Sequence, residues 1–248
     1  MNNPKLSIVG MSFDFDGKTI LKELTMSVSS GEFVTILGPS GVGKSTILNI
    51  LSGTLQAERG DIFVDGHKIN QVTEHFAYMP QDDLLFPWKT VLDNVTLYGS
   101  IHQRKKEIEE KARSLFSLFG LAGYENAYPQ ELSGGMRQRA AFLRTTLCKG
   151  EIMLLDEPFG ALDVITRGDM QEWLISMREQ LAKTTVLVTH DIDEAIYLSD
   201  RIIILNGTPA SVTKEFIIET PSNERSREWL YEKCATLRGA IYHEIKGG

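Results

Sequence analysis

Gly38-Pro39-Ser40-Gly41-Val42-Gly43-Lys44-Ser45-Thr46 limits this chain to fewer folds than any other stretch. Before it runs Phe33-Val34-Thr35-Ile36-Leu37, apolar, β-branched and short enough for a buried strand. After it comes Ile47-Leu48-Asn49-Ile50-Leu51, apolar at helical spacing. Glycines between a strand and a helix leave successive backbone N–H groups free to turn inward, with no Cβ in the way. The positive end of the helix dipole falls at the same point, so the turn is an anion cradle. The spacing G-x-x-x-x-G-K-[ST], from Gly38 to Ser45, adds two side chains: Lys44 to reach the β- and γ-phosphates and Ser45 for a hydroxyl on Mg²⁺. Ser40, Gly41, Gly43 and Thr46 complete the expected phosphate-binding set. This stretch predicts a nucleoside triphosphate site on an α/β fold.

The remaining pattern supplies such a fold. Residues 6–28 read as short strands around a turn at Asp16-Gly17-Lys18, with further strands over 60–66 and 76–79, the latter stopped by Pro80. From about 90 to 148 the pattern turns helical and charged. Ile108, Ala112, Leu115, Phe116 and Phe119 share one face, while Lys105–Glu109, Lys106–Glu110 and Glu109–Arg113 are spaced to pair on the other. Strands return at 152–155, 185–189 and 201–205, and a helix over 166–183 gives the βαβ rhythm of a parallel sheet. The tail over 221–245 reads as one helix, with Trp229, Lys233, Leu237 and Ile241 at helical spacing. The expected division is a nucleotide-binding core over 1–81 and 149–210, a helical insert over 82–148 and a short extension over 211–248.

Composition narrows the partners. A net charge of −7 over 248 residues lacks the basic footprint of a nucleic-acid binder. No apolar run approaches the roughly 18–20 residues of a membrane span, and no signal-peptide core follows the first residues. A soluble cytoplasmic protein is expected. Cys148 and Cys234 stand far apart with no C-x-x-C partner, which suits inert thiols in a reducing compartment.

Two later stretches carry chemistry. The strand at 152–155 ends in Asp156-Glu157: an aspartate placed to hold Mg²⁺ and a neighbour placed to take the proton of an attacking water. In Leu132-Ser133-Gly134-Gly135-Met136-Arg137-Gln138-Arg139, Ser133 is a helix N-cap and the glycines bare a second set of N–H groups. This stretch, with Arg144 following, resembles the signature motif of ATP-binding-cassette (ABC) ATPases. By the same resemblance Gln81 corresponds to the Q-loop glutamine, Asp163 in Gly160-Ala161-Leu162-Asp163 to the D-loop aspartate, and His190 to the switch histidine. Phe15 takes the place of the adenine-stacking aromatic, with Phe13 on the same strand face as the alternative. Met136 stands where many members have glutamine, and Phe159-Gly160 where a serine often precedes the D-loop. Neither replaces a group with an assigned role.

The resemblance implies a RecA-like P-loop core with an antiparallel β subdomain and an inserted α-helical subdomain. It implies an ATPase using ATP and Mg²⁺, with Ser45, Gln81 and Asp156 on the metal and Glu157, His190 and Gln81 at the γ-phosphate. Ser133, Gly134 and Gly135 would act on the ATP of a second copy in a head-to-tail dimer. The stretch from Gln81 to Val95 looks like the ATPase subunits of bacterial importers for nitrate, sulfonate, taurine and pyrimidine thiamine precursors. Leu84, Leu85, Phe86 and Trp88 would then dock integral membrane permease subunits at the cytoplasmic face of the membrane. A solute-binding protein is the indirect partner, and nucleic acid is none. The competing expectation is a soluble ABC ATPase of DNA repair or translation. Such proteins carry long coiled coils or tandem cassettes, and this sequence has neither heptads nor a repeat.

Overall fold

The computed structural model describes residues 3–69 and 75–247. Its strands in chain order are β1 (Leu6–Phe15), β2 (Lys18–Val28), β3 (Phe33–Leu37), β4 (Arg59–Val64), β5 (His67–Lys68), β6 (Phe76–Met79), β7 (Ile152–Asp156), β8 (Thr184–Thr189), β9 (Arg201–Asn206) and β10 (Ser211–Ile217). The helices are α1 (Lys44–Leu51), α2 (Val91–Val95), α3 (Leu97–Ile101), α4 (Lys105–Phe116), α5 (Gly134–Thr146), α6 (Val164–Leu181), α7 (Ile192–Leu198), α8 (Arg227–Lys233) and α9 (Ala235–Lys246).

The strands form an antiparallel sheet, β2-β1-β4-β5, and a six-stranded sheet, β10-β9-β3-β8-β7-β6. Within the second, β9-β3-β8-β7-β6 are parallel and β10 is an antiparallel edge. Strands β3, β7 and β8 are buried at every residue, the pattern of a parallel sheet covered on both faces. Side chains alternate between the two coverings, as the period of two requires. Val34, Ile36, Leu154, Val186 and Ile203 pack with α1 and the antiparallel sheet. Phe33, Leu37, Met153, Leu155 and Leu187 pack with the helical insert and α6–α7. The antiparallel and helical parts expected from the family resemblance thus lie on opposite faces of one nucleotide-binding sheet.

Register places the chemistry. Leu37 lies opposite Thr189, Asp156 opposite Val188, and Met79 opposite Leu155. The residues that follow these strands, among them Gly38, Glu157, His190 and Gln81, therefore emerge along one rim at the carboxyl ends of the parallel strands. Ligands of open α/β sheets bind at that edge.

The structure corrects the tail. The region over 221–245 is two helices: α8 ends and α9 begins around Cys234, whose backbone (φ −98°, ψ 8°) is not helical. Trp229 and Leu237 each keep helical spacing, but in separate helices. Strand β10 was not legible. Its residues are mostly exposed, and pairing with β9 stabilises it where alternation does not. In the insert, the expected Glu109–Arg113 pair forms at 2.8 Å, and Arg104–Glu107 at 2.5 Å joins it.

Candidate functional site

The glycine-rich loop is held between β9 and β2. A Cβ on Gly38 would collide with the carbonyl oxygen of Leu205 on β9. Gly43 has φ +113°, and a Cβ there would lie 3.0 Å from Leu21 Cδ2 on β2. Bulk and backbone angle together demand glycine at position 43. Lys44 opens α1 and is buried, its Nζ donating to the carbonyls of Gly38 at 2.9 Å and Pro39 at 2.8 Å. Burial lowers its pKa, against the pull of Glu157 and Asp156.

Beneath the loop, the Ser45 hydroxyl donates to Asp156 Oδ1 at 3.0 Å and the Tyr78 hydroxyl donates to Oδ2 at 3.2 Å. Burial raises the Asp156 carboxyl, and these two hydrogen bonds work against the rise. Burial and the adjacent carboxylate also raise the Tyr78 phenol, so it remains a donor. Tyr78 is the residue that sequence reading missed. The signal was its position in β6, two residues before Pro80 on the strand that pairs with β7.

Glu157 has φ +44°, a left-handed conformation rarely taken outside glycine. Its N–H donates to Val188 O at 2.9 Å, so the neighbouring strand holds the turn. The turn brings Glu157 Oε2 to 3.1 Å from His190 Nδ1. Gln81 approaches from β6: its Nε2 and Glu157 Oε2 flank Gly160, 3.6 and 3.8 Å from where a Cβ would stand.

A cavity of about 410 Å³ runs from Phe15 and Ile20, over Ser40, Gly41, Gly43 and Thr46, to Glu157. Both phenylalanines of β1 border it, but Phe13 is buried in the core while Phe15 is 63% exposed. Phe15 is the ring free to receive a flat ligand.

The signature residues are elsewhere. Ser133 caps α5, its Oγ accepting from Met136 N at 3.3 Å. Gly134 would place a Cβ 3.6 Å from Leu162, and Gly135 would place one 3.0 Å from Thr166. Asp163 caps α6 by accepting from the Ile165 and Thr166 N–H groups and the Thr166 hydroxyl; these bonds hold its carboxyl below the usual range. Ser133, Gly134, Gly135 and Asp163 thus form a second cluster, and none of them lines the cavity that Lys44 and Ser45 border.

Residues 21–160 match the profile of the ABC transporter family. The chain belongs to this family. This ABC cassette is 41% identical over 213 residues to the aliphatic sulfonates import ATP-binding protein SsuB of Bacillus cereus, covering 84% of each chain. It is 40% identical over 243 residues to the formylaminopyrimidine import ATP-binding protein ThiZ of Halalkalibacterium halodurans, covering 97% of this chain and 94% of that one. Among solved structures it is similar to the dimeric structure of MJ0796, a bacterial ABC transporter cassette (29% identity, TM-score 0.72, 87% of this chain and 99% of that one). The cassette is an ATP-binding ATPase with a mixed α/β P-loop fold.

Proposed function

We propose that this cassette energises a bacterial importer of a small solute by hydrolysing ATP between two copies of itself. One observation carries the reading. The loop, Asp156, Glu157 and His190 form one contiguous site, while the signature glycines stand outside its cavity. An anion-binding helix start with no phosphate of its own in the same chain calls for a partner's ATP, which a two-fold, head-to-tail pair supplies twice. The dimeric state of the similar cassette MJ0796 supports this.

Within each site, Phe15 stacks on adenine, and Lys44 with the N–H groups of the loop holds the phosphates. Glu157 accepts the proton of the attacking water, and His190, at 3.1 Å from Glu157, together with Gln81 orients the γ-phosphate side. Ser45, Gln81 and Asp156 offer hard oxygen donors with a single carboxylate. That set suits Mg²⁺, which binds through one or two carboxylates plus phosphate oxygens and would neutralise charge on the transferred group. The same reading divides the chain into a core over 1–81 and 149–210, a helical subdomain over 82–148 and an extension over 211–248.

Leu84 and Trp88 are exposed beside α2, while Leu85 is packed in the core. The permease-docking patch is therefore narrower than the four apolar residues suggest. The carbonyls of Asp83 and Leu84 accept from Arg144, and Asp83 Oδ2 accepts from Arg137 at 3.2 Å, so the docking segment is tied directly to the signature helix α5. Relatives named as import proteins for sulfonates and formylaminopyrimidine favour the importer over a role in DNA repair or translation. No helix among the described residues is long and apolar enough to cross a membrane. We place the cassette at the cytoplasmic face, held by permease subunits that receive solute from a binding protein.

The test is affinity capture of the tagged chain from gently solubilised native membranes. Recovery of a multi-span membrane protein is the expected result. Recovery of ribosomal or DNA-associated proteins in its place would overturn the importer reading and leave the ATPase intact.

A further inference from the structure

His190 is followed directly by the residue that fixes the turn into α7. Asp191 caps α7, its Oδ1 accepting from Asp193 N at 2.9 Å and Glu194 N at 3.1 Å, while its own N–H donates to Thr189 Oγ1 at 3.1 Å. Asp191 is thus bonded on both sides of the turn that carries His190 to 3.1 Å from Glu157. Arg167 of α6 reaches that carboxylate, its Nη1 3.8 Å from Asp191 Oδ2. The same guanidinium donates through Nη2 to the carbonyl of Leu162 at 3.0 Å. Leu162 is the residue that borders Gly134. Arg167 therefore spans from the turn against the signature glycines to the loop that carries His190.

This span is only partly satisfied. At 3.8 Å the contact with Asp191 is an ion pair without a hydrogen bond. Arg167 Nε is buried and has no partner, and on α7 Glu194 Oε1 has none either, in a residue 5% exposed. Unpaired buried groups are costly to leave so. A donor with an unpartnered Nε and a carboxylate at 3.8 Å, held by a full hydrogen bond only at Leu162, has a second arrangement open to it when the Leu162 turn moves.

We propose that Arg167 is a positioning residue for hydrolysis, coupling the turn at Leu162 to His190 through Asp191, so that closure of a partner cassette on the signature side aligns His190. This rests on the reading of His190 and Glu157 given above.

The experiment uses the purified full chain with Mg-ATP. Arg167→Ala lowers kcat about tenfold and leaves KM for ATP within about twofold, because the phosphate loop is untouched. Asp191→Asn keeps an equally good N-cap but removes the charge, so it gives a similar loss, and the double variant loses no more than either single one. Asp191→Asn also decides the matter if Arg167→Ala does not fold. Arg167→Lys recovers only part of the rate, since an ammonium lacks the fork that bridges two acceptors. His190→Ala separates the two readings. If it is inactive while Arg167→Ala and Asp191→Asn stay within twofold of wild type, or their losses multiply, the coupling is wrong and the hydrolytic reading stands. If His190→Ala turns over like wild type, the hydrolytic reading fails and the coupling fails with it.

Discussion

Phe13 and Phe15 differ by one step of a strand repeat and by their whole environment. Both point to the same side of β1 and border the cavity; one is buried in the core and the other presents an exposed ring. Base–aromatic stacking is worth about 1–3 kcal/mol in nucleic-acid sites, so Phe15→Ala should raise the Kd for ATP roughly tenfold, measured by nucleotide titration, with kcat little changed. An unchanged Kd would return the stacking role to another residue. Glu194 supports a different prediction. Burial, with Asp191 and Glu157 nearby, pushes its carboxyl up to about 8, against the Arg167 guanidinium and a hydrogen bond to Thr189. The unfolded chain releases this proton near pH 4.5 and the folded one near 8, so the group's contribution to stability declines as pH rises across that interval. Glu194→Gln removes the decline. In urea denaturation its stability relative to wild type should grow from pH 5 to about 8.5, and a difference that stays flat with pH would sink the assignment.

At the scale of the element, glycines that look alike in sequence have opposite meanings. Gly38→Ala drives a Cβ into the β9 backbone, which cannot yield as a flexible side chain would. Overpacking of this kind costs about 1–3 kcal/mol, and thermal melting should show a clear fall in Tm together with weaker ATP binding. Gly239 lies inside α9, with nothing near a Cβ added to it. Gly239→Ala should stabilise by roughly 0.5–1 kcal/mol, raising Tm by a degree or more. The tail to which α9 belongs is secured by Arg225, buried at the end of α7, which donates to the carbonyls of Tyr197 at 3.0 Å, Ser199 at 2.7 Å and Thr220 at 2.9 Å. The distribution of apolar residues shows that this tail is helical. The break at Cys234 depends on where α8 and α9 must lie to bury Leu230 and Ile241.

At the scale of the whole molecule, the proposal that the signature serves the other copy makes complementation the decisive measurement. Lys44→Ala and Ser133→Arg chains should each be inactive alone. Mixed, they should regain activity, because one of the two interfacial sites in a heterodimer is then intact. If the signature served its own chain, the mixture would stay dead. Glu157→Gln preserves shape and binding but accepts no proton, so it should trap an ATP-dependent dimer on size exclusion. An ATP-bound monomer at micromolar concentration would count against the closed pair.

The loop from Gly38 to Thr46, the Asp156-Glu157 strand end and the parallel strands were legible in the sequence because local rules suffice for them. A buried strand is a run of apolar residues, and a phosphate cradle is a spacing of glycines and one lysine over nine positions. What lies far apart along the chain was decided only in three dimensions. Pairing of β7 with β6 and β8 sets Tyr78 against Asp156 and His190 against Glu157. The fold buries Leu85 while leaving Leu84 and Trp88 in solvent. The β9 edge is what makes β10 a strand, and Arg167 meets both the Leu162 turn and Asp191 only because α6 and α7 pack together. Such contacts depend on register and packing, which no local window contains.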